Sequence, residues 1–254
     1  MNFRGSSFFS QIPVVTKNLI IINFIVWLAM FVLPSRLGAG LEDFGGLHYF
    51  KAADFNPAQL ITYMFMHSTG GFAHILFNMF SLWMFGTIIE RTMGAGRFIF
   101  YYLSCGIGAA LIQELVWALT WEDTFSRLLA NANHVDYPEM KAYLQLMSDS
   151  PEVKHMLNSL VTIGASGAIY GVFLAYGMLF PNQMVYLYFL FPIKAKWMMV
   201  GMVVIELLIG MSEAAGKPDG VAHFAHLGGM IFGFLILLYW KKKGTFGGGQ
   251  YGGY

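Results

Sequence analysis

The sequence predicts an all-α polytopic membrane protein with six transmembrane helices. Three observations carry that prediction: 57% of the 254 residues are hydrophobic, only 11% are charged, and the apolar residues gather into six separate runs. A soluble domain carries about 25% charged residues. A core cannot absorb this much apolar surface at this length, so lipid must act as the solvent. The hydrophobicity is spread along the whole chain, which favours one membrane domain. A formal net charge of +1 argues against an electrostatic nucleic-acid binder. The single cysteine, Cys105, excludes an intramolecular disulfide framework and most thiolate metal sites.

The runs fall at about residues 18–34, 72–90, 98–120, 165–181, 197–212 and 221–240. The first follows Arg4 and Lys17 as a secretory signal would, but no small-x-small cleavage site follows it, so it is read as a retained helix. The fourth is short. At about 1.5 Å per residue it rises roughly 25 Å, against a hydrocarbon core of about 30 Å, so its N-terminal end begins below the membrane surface. The stretch 121–160 holds Glu122, Asp123, Asp136, Glu139, Asp149 and Glu152, with Tyr143, Leu146 and Met147 at helical spacing. It is expected to form one or two short amphipathic helices outside the membrane. The chain therefore divides into a cytoplasmic segment 1–17, a membrane domain 18–240 with the 121–160 insertion, and a Gly-rich cytoplasmic tail 241–254.

Charge orients these runs. Arg4, Lys17, Arg91, Arg97, Lys194, Lys196, Lys241, Lys242 and Lys243 fall on one side, which the positive-inside rule makes cytoplasmic, with both termini inside. Arg36, Lys51, Arg127, Lys141, Lys154 and Lys217 lie opposite, among most of the acids. No Arg- and Ser-rich transit peptide precedes the first run, which points to a bacterial inner (plasma) membrane.

Strongly polar side chains within spans are costly and mark function by default. They are His74, Asn78, Glu114, Glu206, His223 and His226, with Ser166 a milder case. Ser166 lies in Gly164-Ala165-Ser166-Gly167, where small neighbours leave a hydroxyl uncovered at a helix start. Unpaired N–H groups there suit a developing oxyanion, although GASG alone reads equally well as small-residue packing. His226 lies three residues before Gly229, which forms a small-xxx-small pair with Gly233; Gly167 and Gly171 form another directly after Ser166. Matching notches let two helices approach closely enough for a serine and an imidazole to pair. His74 and Asn78 share a helix face as two hydrogen-bond donors, or else as an interhelical clamp. His223 reads as structural or supporting, Glu114 and Glu206 as acids served by water or a partner, Glu90 as an ion pair or cap, and His67 as lining the mouth of the site.

Together, HILFN in the second run, GASG in the fourth and AHLGG in the sixth resemble the rhomboid intramembrane serine proteases. The resemblance runs over residues 18–240, with three motifs in the family's order. It implies a six-helix rhomboid-like bundle that hydrolyses transmembrane protein substrates within the lipid bilayer, without metal, cofactor, nucleotide or nucleic acid. It implies Ser166 as nucleophile and His226 as general base, a dyad with no acidic third member. His74, Asn78 and the Ser166 N–H form the implied oxyanion hole, Tyr170 packs on the imidazole, and Gly164, Gly167 and Gly229 support the site. Two departures stand out. The segment Phe55–Leu60 lacks the Trp-Arg pair frequent in the family's first outer loop, and the connection before the fourth run is long for a basic six-span member. A metal protease motif, His-Glu-x-x-His, is absent, and no aspartate lies in any run. The alternatives are a catalytically silent relative that binds and sorts membrane proteins, and a transporter using His74, Glu114, Glu206 and His226 as a proton path.

Overall fold

A computed structural model of the chain describes residues 11–33, 40–187, 191–214 and 221–245. Arg4, Arg36 and Lys217, used above for orientation, and the tail from residue 246 lie outside the described residues. The fold is an all-α polytopic bundle. Among the described residues, five helices are long and apolar enough to cross a bilayer: α1 (Val14–Val32), α4 (Phe72–Met93), α5 (Ala95–Asn133), α9 (Ala195–Ala214) and α10 (His223–Lys242). The sixth apolar helix, α8 (Ser166–Leu179), has 14 residues, a rise of only about 21 Å. Shorter elements fill the connections: α2 (Leu41–Gly45), β1 (Leu47–His48), α3 (Gln59–Thr62), α6 (Tyr137–Leu146), α7 (Pro151–Met156), β2 (Val161–Thr162), β3 (Met184–Leu187) and β4 (Phe191–Lys194).

Two kinds of helix follow from the sequence. In α1, Thr16, Leu19, Asn23 and Met30 are buried, while Ile22, Ile25, Leu28 and Phe31 are exposed. A helix apolar on its exposed face requires lipid there. Its N-terminus is fastened to α4, where the buried Glu90 carboxylate accepts from Val15 N at 2.9 Å, Thr16 N at 2.7 Å and Thr16 Oγ1 at 2.8 Å. Glu90 is thus a cap lent by another helix.

The central helices α5, α8 and α10 pack through their small residues. A Cβ on Gly229 of α10 would stand 1.9 Å from the Gly167 carbonyl oxygen of α8, so only glycine permits this crossing. Gly108 and Gly233 admit Phe232 and Tyr101 between α5 and α10, and Tyr101 donates to the Gly171 carbonyl at 2.7 Å. The Gly167–Gly229 contact brings the first turns of α8 and α10 together, and both site motifs lie there.

Helix α5 has 39 residues, about 58 Å and nearly twice a hydrocarbon core. The expected span 98–120 therefore ends in the membrane sense while the helix continues outside. Asp123 on that extension binds Tyr137 Oη and Lys141 Nζ, each at 2.6 Å, and ties α6 to it. The insertion forms two short helices as expected, but of the Tyr143–Leu146–Met147 stripe only Met147 packs against the core. Leu144 is the buried residue of α6, and Leu146 is 84% exposed. Strands β1 and β2 pair antiparallel and carry residues 161–164 over the start of α8; β3 and β4 form a second antiparallel pair.

Candidate active site

Ser166 is the first residue of α8 and His226 lies in the first turn of α10. Ser166 Oγ is 2.8 Å from His226 Nε2, a hydrogen bond through which a hydroxyl proton can pass to an imidazole. Tyr170, one turn along α8, stacks on the His226 ring with centroids 4.1 Å apart and planes 5° from parallel. The start of α8 leaves the N–H groups of its first turn without helical partners, beside the hydroxyl.

A cavity of about 580 Å³ opens in front of this pair. Its walls include Tyr63, Ser68, His74, Val161, Thr162, Ile163, Gly164, Gly167, Val221, Ala222 and Ala225. His74 Nδ1 accepts from the Ser68 N–H at 3.2 Å. That bond leaves Nε2 as the protonated nitrogen of a neutral ring, and Nε2 faces Gly164. A Cβ on Gly164 would stand 2.9 Å from His74 Nε2 and 3.8 Å from Ser166 Oγ, so this glycine keeps the space between them open. Its φ of +124° is itself one that other residues rarely adopt. Gly167 is similarly confined, with Ala109 at 2.5 Å from a would-be Cβ.

Other predicted residues are placed differently. Asn78 is not in the cavity wall; its amide donates to the His74 carbonyl at 2.8 Å. His67 does not line the mouth: it is fully buried, its ring centroid lies 5.1 Å from that of His74, and neither ring nitrogen has a hydrogen-bond partner. Burial, and then the neighbouring His74, push its pKa down to about 4. Glu114 accepts from the Phe50 N–H at 2.9 Å and holds the loop after β1 against α5.

The residue that the sequence reading left outside the site is Glu206. It reaches across from α9, is 5% exposed, and its Oε2 lies 2.9 Å from His226 Nδ1 and 2.7 Å from His223 Nδ1. Its Oε1 accepts from the Tyr170 hydroxyl. The signal was present as an acid within a span and two histidines three apart in another, but the rotation that points them at one another is set only by packing. Among the described residues, the potential ligand atoms of Glu206, His223 and His226 lie within 4.8 Å of one another, but they are already joined through Glu206 Oε2 by hydrogen bonds.

A family model described as the Rhomboid domain matches residues 55–243. The chain is 25% identical to the putative rhomboid protease YdcA of Bacillus subtilis, over 92% of this chain and 91% of that protein. It is 24% identical to the rhomboid protease AarA of Providencia stuartii, over 87% and 70% respectively. RHOMBOID-like protein 4 of Arabidopsis thaliana is 27% identical over 80% of this chain, which spans only 39% of that relative's length.

Proposed function

The chain belongs to the rhomboid family, and from that premise we propose that it is an intramembrane serine endopeptidase that cuts peptide bonds in or near the transmembrane segments of other membrane proteins. The observation that carries this reading is the 2.8 Å contact between Ser166 Oγ and His226 Nε2 at the wall of a cavity. A serine hydroxyl is inert at its own pKa and needs such a base.

In this reading a substrate helix approaches sideways through lipid and unwinds locally, because its backbone amides are otherwise satisfied within the helix. The Ser166 proton moves to His226 Nε2 as Oγ bonds to the scissile carbonyl carbon, and the carbonyl electron pair becomes the oxyanion. His74 Nε2–H and the Ser166 backbone N–H stabilise that charge, each side-chain donor contributing about 3–4 kcal/mol in comparable enzymes. Asn78 is a further donor, with one amide proton already committed to the His74 carbonyl. When the C–N bond breaks, His226 gives its proton to the departing amine. Water then attacks the acyl-enzyme, His226 again taking and returning the proton.

The proposal includes one membrane domain over 18–240, both flanks cytoplasmic, in a bacterial inner membrane. In this reading Ser166, at the start of the short α8, lies below the outer surface yet within reach of water. Purified full-length protein is expected to react covalently with a fluorophosphonate probe, and Ser166→Ala and His226→Ala are each expected to abolish labelling. Folded wild-type protein that stays unlabelled and leaves transmembrane substrates uncut would favour the silent, substrate-binding alternative.

A further inference from the structure

Both ring nitrogens of His226 are engaged, and the reaction needs them engaged in one particular way. To accept the Ser166 proton, Nε2 must be bare, so Nδ1 must carry the hydrogen. The group facing Nδ1 at 2.9 Å is the Glu206 carboxylate, which as an anion can only accept. Two more donors converge on the same carboxylate: His223 Nδ1 at 2.7 Å, and the Tyr170 hydroxyl on the other oxygen. The Tyr170 ring that supplies this hydroxyl is also the one stacked on His226. We propose that Glu206 is a positioning residue for the serine–histidine pair, holding His226 in the tautomer and orientation that can receive the Ser166 proton and balancing the imidazolium that forms.

This inference rests on the protease reading, and it replaces the expected two-membered pair with a chain of three, Ser166, His226 and Glu206, drawn from α8, α10 and α9. Among the described residues, the titratable groups facing His226 are Glu206 on α9, His223 on its own helix, Tyr170 and Ser166 on α8, and His74 across the cavity on α4. Of these, only Glu206 and Ser166 are hydrogen-bonded to the ring. Burial strengthens the argument. Glu206, His223 and His226 are 5%, 4% and 6% exposed, so water competes poorly for the Nδ1 proton. A glutamate inside a span is costly unless its acceptor sites are used, and here the three donors use them.

The test is the rate of fluorophosphonate labelling by the full chain in detergent, for wild type, Glu206→Gln, Glu206→Asp and Ser166→Ala. A glutamine amide can donate to Nδ1 and so stabilise the wrong tautomer. Glu206→Gln is expected to lower the maximal labelling rate by about 10²- to 10⁴-fold, as removal of the orienting carboxylate does in serine triads, with the half-saturating probe concentration little changed. Glu206→Asp, which keeps the charge on a shorter arm, should recover part of the loss. Labelling of Glu206→Gln within about threefold of wild type, or equal losses for Gln and Asp, would overturn the proposal. Should a variant not fold, ¹⁵N spectra of histidine-labelled wild type still decide. A proton on His226 Nδ1 is expected, and a proton on Nε2 overturns the assignment. Absence of Ser166-dependent labelling in the wild type defeats the protease reading instead, and leaves the tautomer to be settled by the spectra.

Discussion

His67 and His74 sit ring to ring, yet their nitrogens meet opposite fates, and that difference predicts a pH dependence. His74 has a defined donor at Nδ1; His67 is sealed without a partner and its pKa is pushed down from 6.5 to about 4. The unfolded chain then binds a proton at His67 at pH values where the folded one does not. Stability is fully present above pH 6.5 and falls as pH drops toward 4, by roughly 3 kcal/mol in all and about 2 kcal/mol at pH 5. Thermal melts in detergent should show Tm falling between pH 7 and pH 5, and His67→Phe should flatten that fall. An unchanged slope in the variant would assign the acid sensitivity elsewhere. At the same scale, the two candidate oxyanion donors should separate. His74→Ala is expected to reduce the labelling rate by about 10²- to 10³-fold, and Asn78→Ala by much less, because Asn78 is back-bonded and outside the cavity wall. Ser166, His226 and Tyr170 were legible in the sequence as motif residues. Glu206 was legible only as an expensive acid, since nothing in a linear run tells which way α9 turns.

Helix crossings were read from their glycines, and the crossing of α8 and α10 makes the sharpest prediction at this scale. A methyl group on Gly229 would collide with a backbone oxygen, which cannot rotate away as a side chain can. Gly229→Ala should therefore cost about 3 kcal/mol or more, beyond ordinary overpacking, and should weaken labelling by drawing His226 away from Ser166. Gly201→Ala in α9 is the matched control. It has nothing within 4 Å of the new methyl and should stabilise by about 0.4–1 kcal/mol. Equal Tm shifts for the two would mean that the close approach does not hold the helices together. The element boundaries were less legible than the crossings, for a physical reason. Acids after Trp121 mark where α5 leaves the lipid but say nothing against helix, so the helix runs on to Asn133. In α6, the spacing of Tyr143 and Leu146 is helical whichever face packs, and tethering through Asp123 turns Leu144 inward instead.

At the scale of the whole molecule, the positive-inside rule makes a prediction about which connections face the cytoplasm. Lys194 ends β4 and Lys196 lies in the first turn of α9, whereas Lys141 lies in the insertion beyond the far end of α5. Under the positive-inside rule the first pair faces the cytoplasm and Lys141 faces out. The chain is well suited to testing this, because its only cysteine, Cys105, is fully buried and out of reach of a water-borne reagent. Single cysteines can thus be introduced without first removing the native one. In cells expressing the full chain, Lys141→Cys should react with a membrane-impermeant maleimide added outside, and Lys196→Cys only after the membrane is opened. The reverse pattern would put Ser166 near the cytoplasmic surface and invert the proposed source of hydrolytic water. Labelling of both from outside would mean that α8 or α9 does not cross. The orientation matters to the chemistry because α8 is too short to span about 30 Å alone. In the proposed reading its first residue, the candidate nucleophile, lies within the depth of the bilayer, with the insertion and the β1–β2 pair over it on the watery side. Such a placement would let a membrane-buried serine meet both a lipid-borne substrate and the water that releases it.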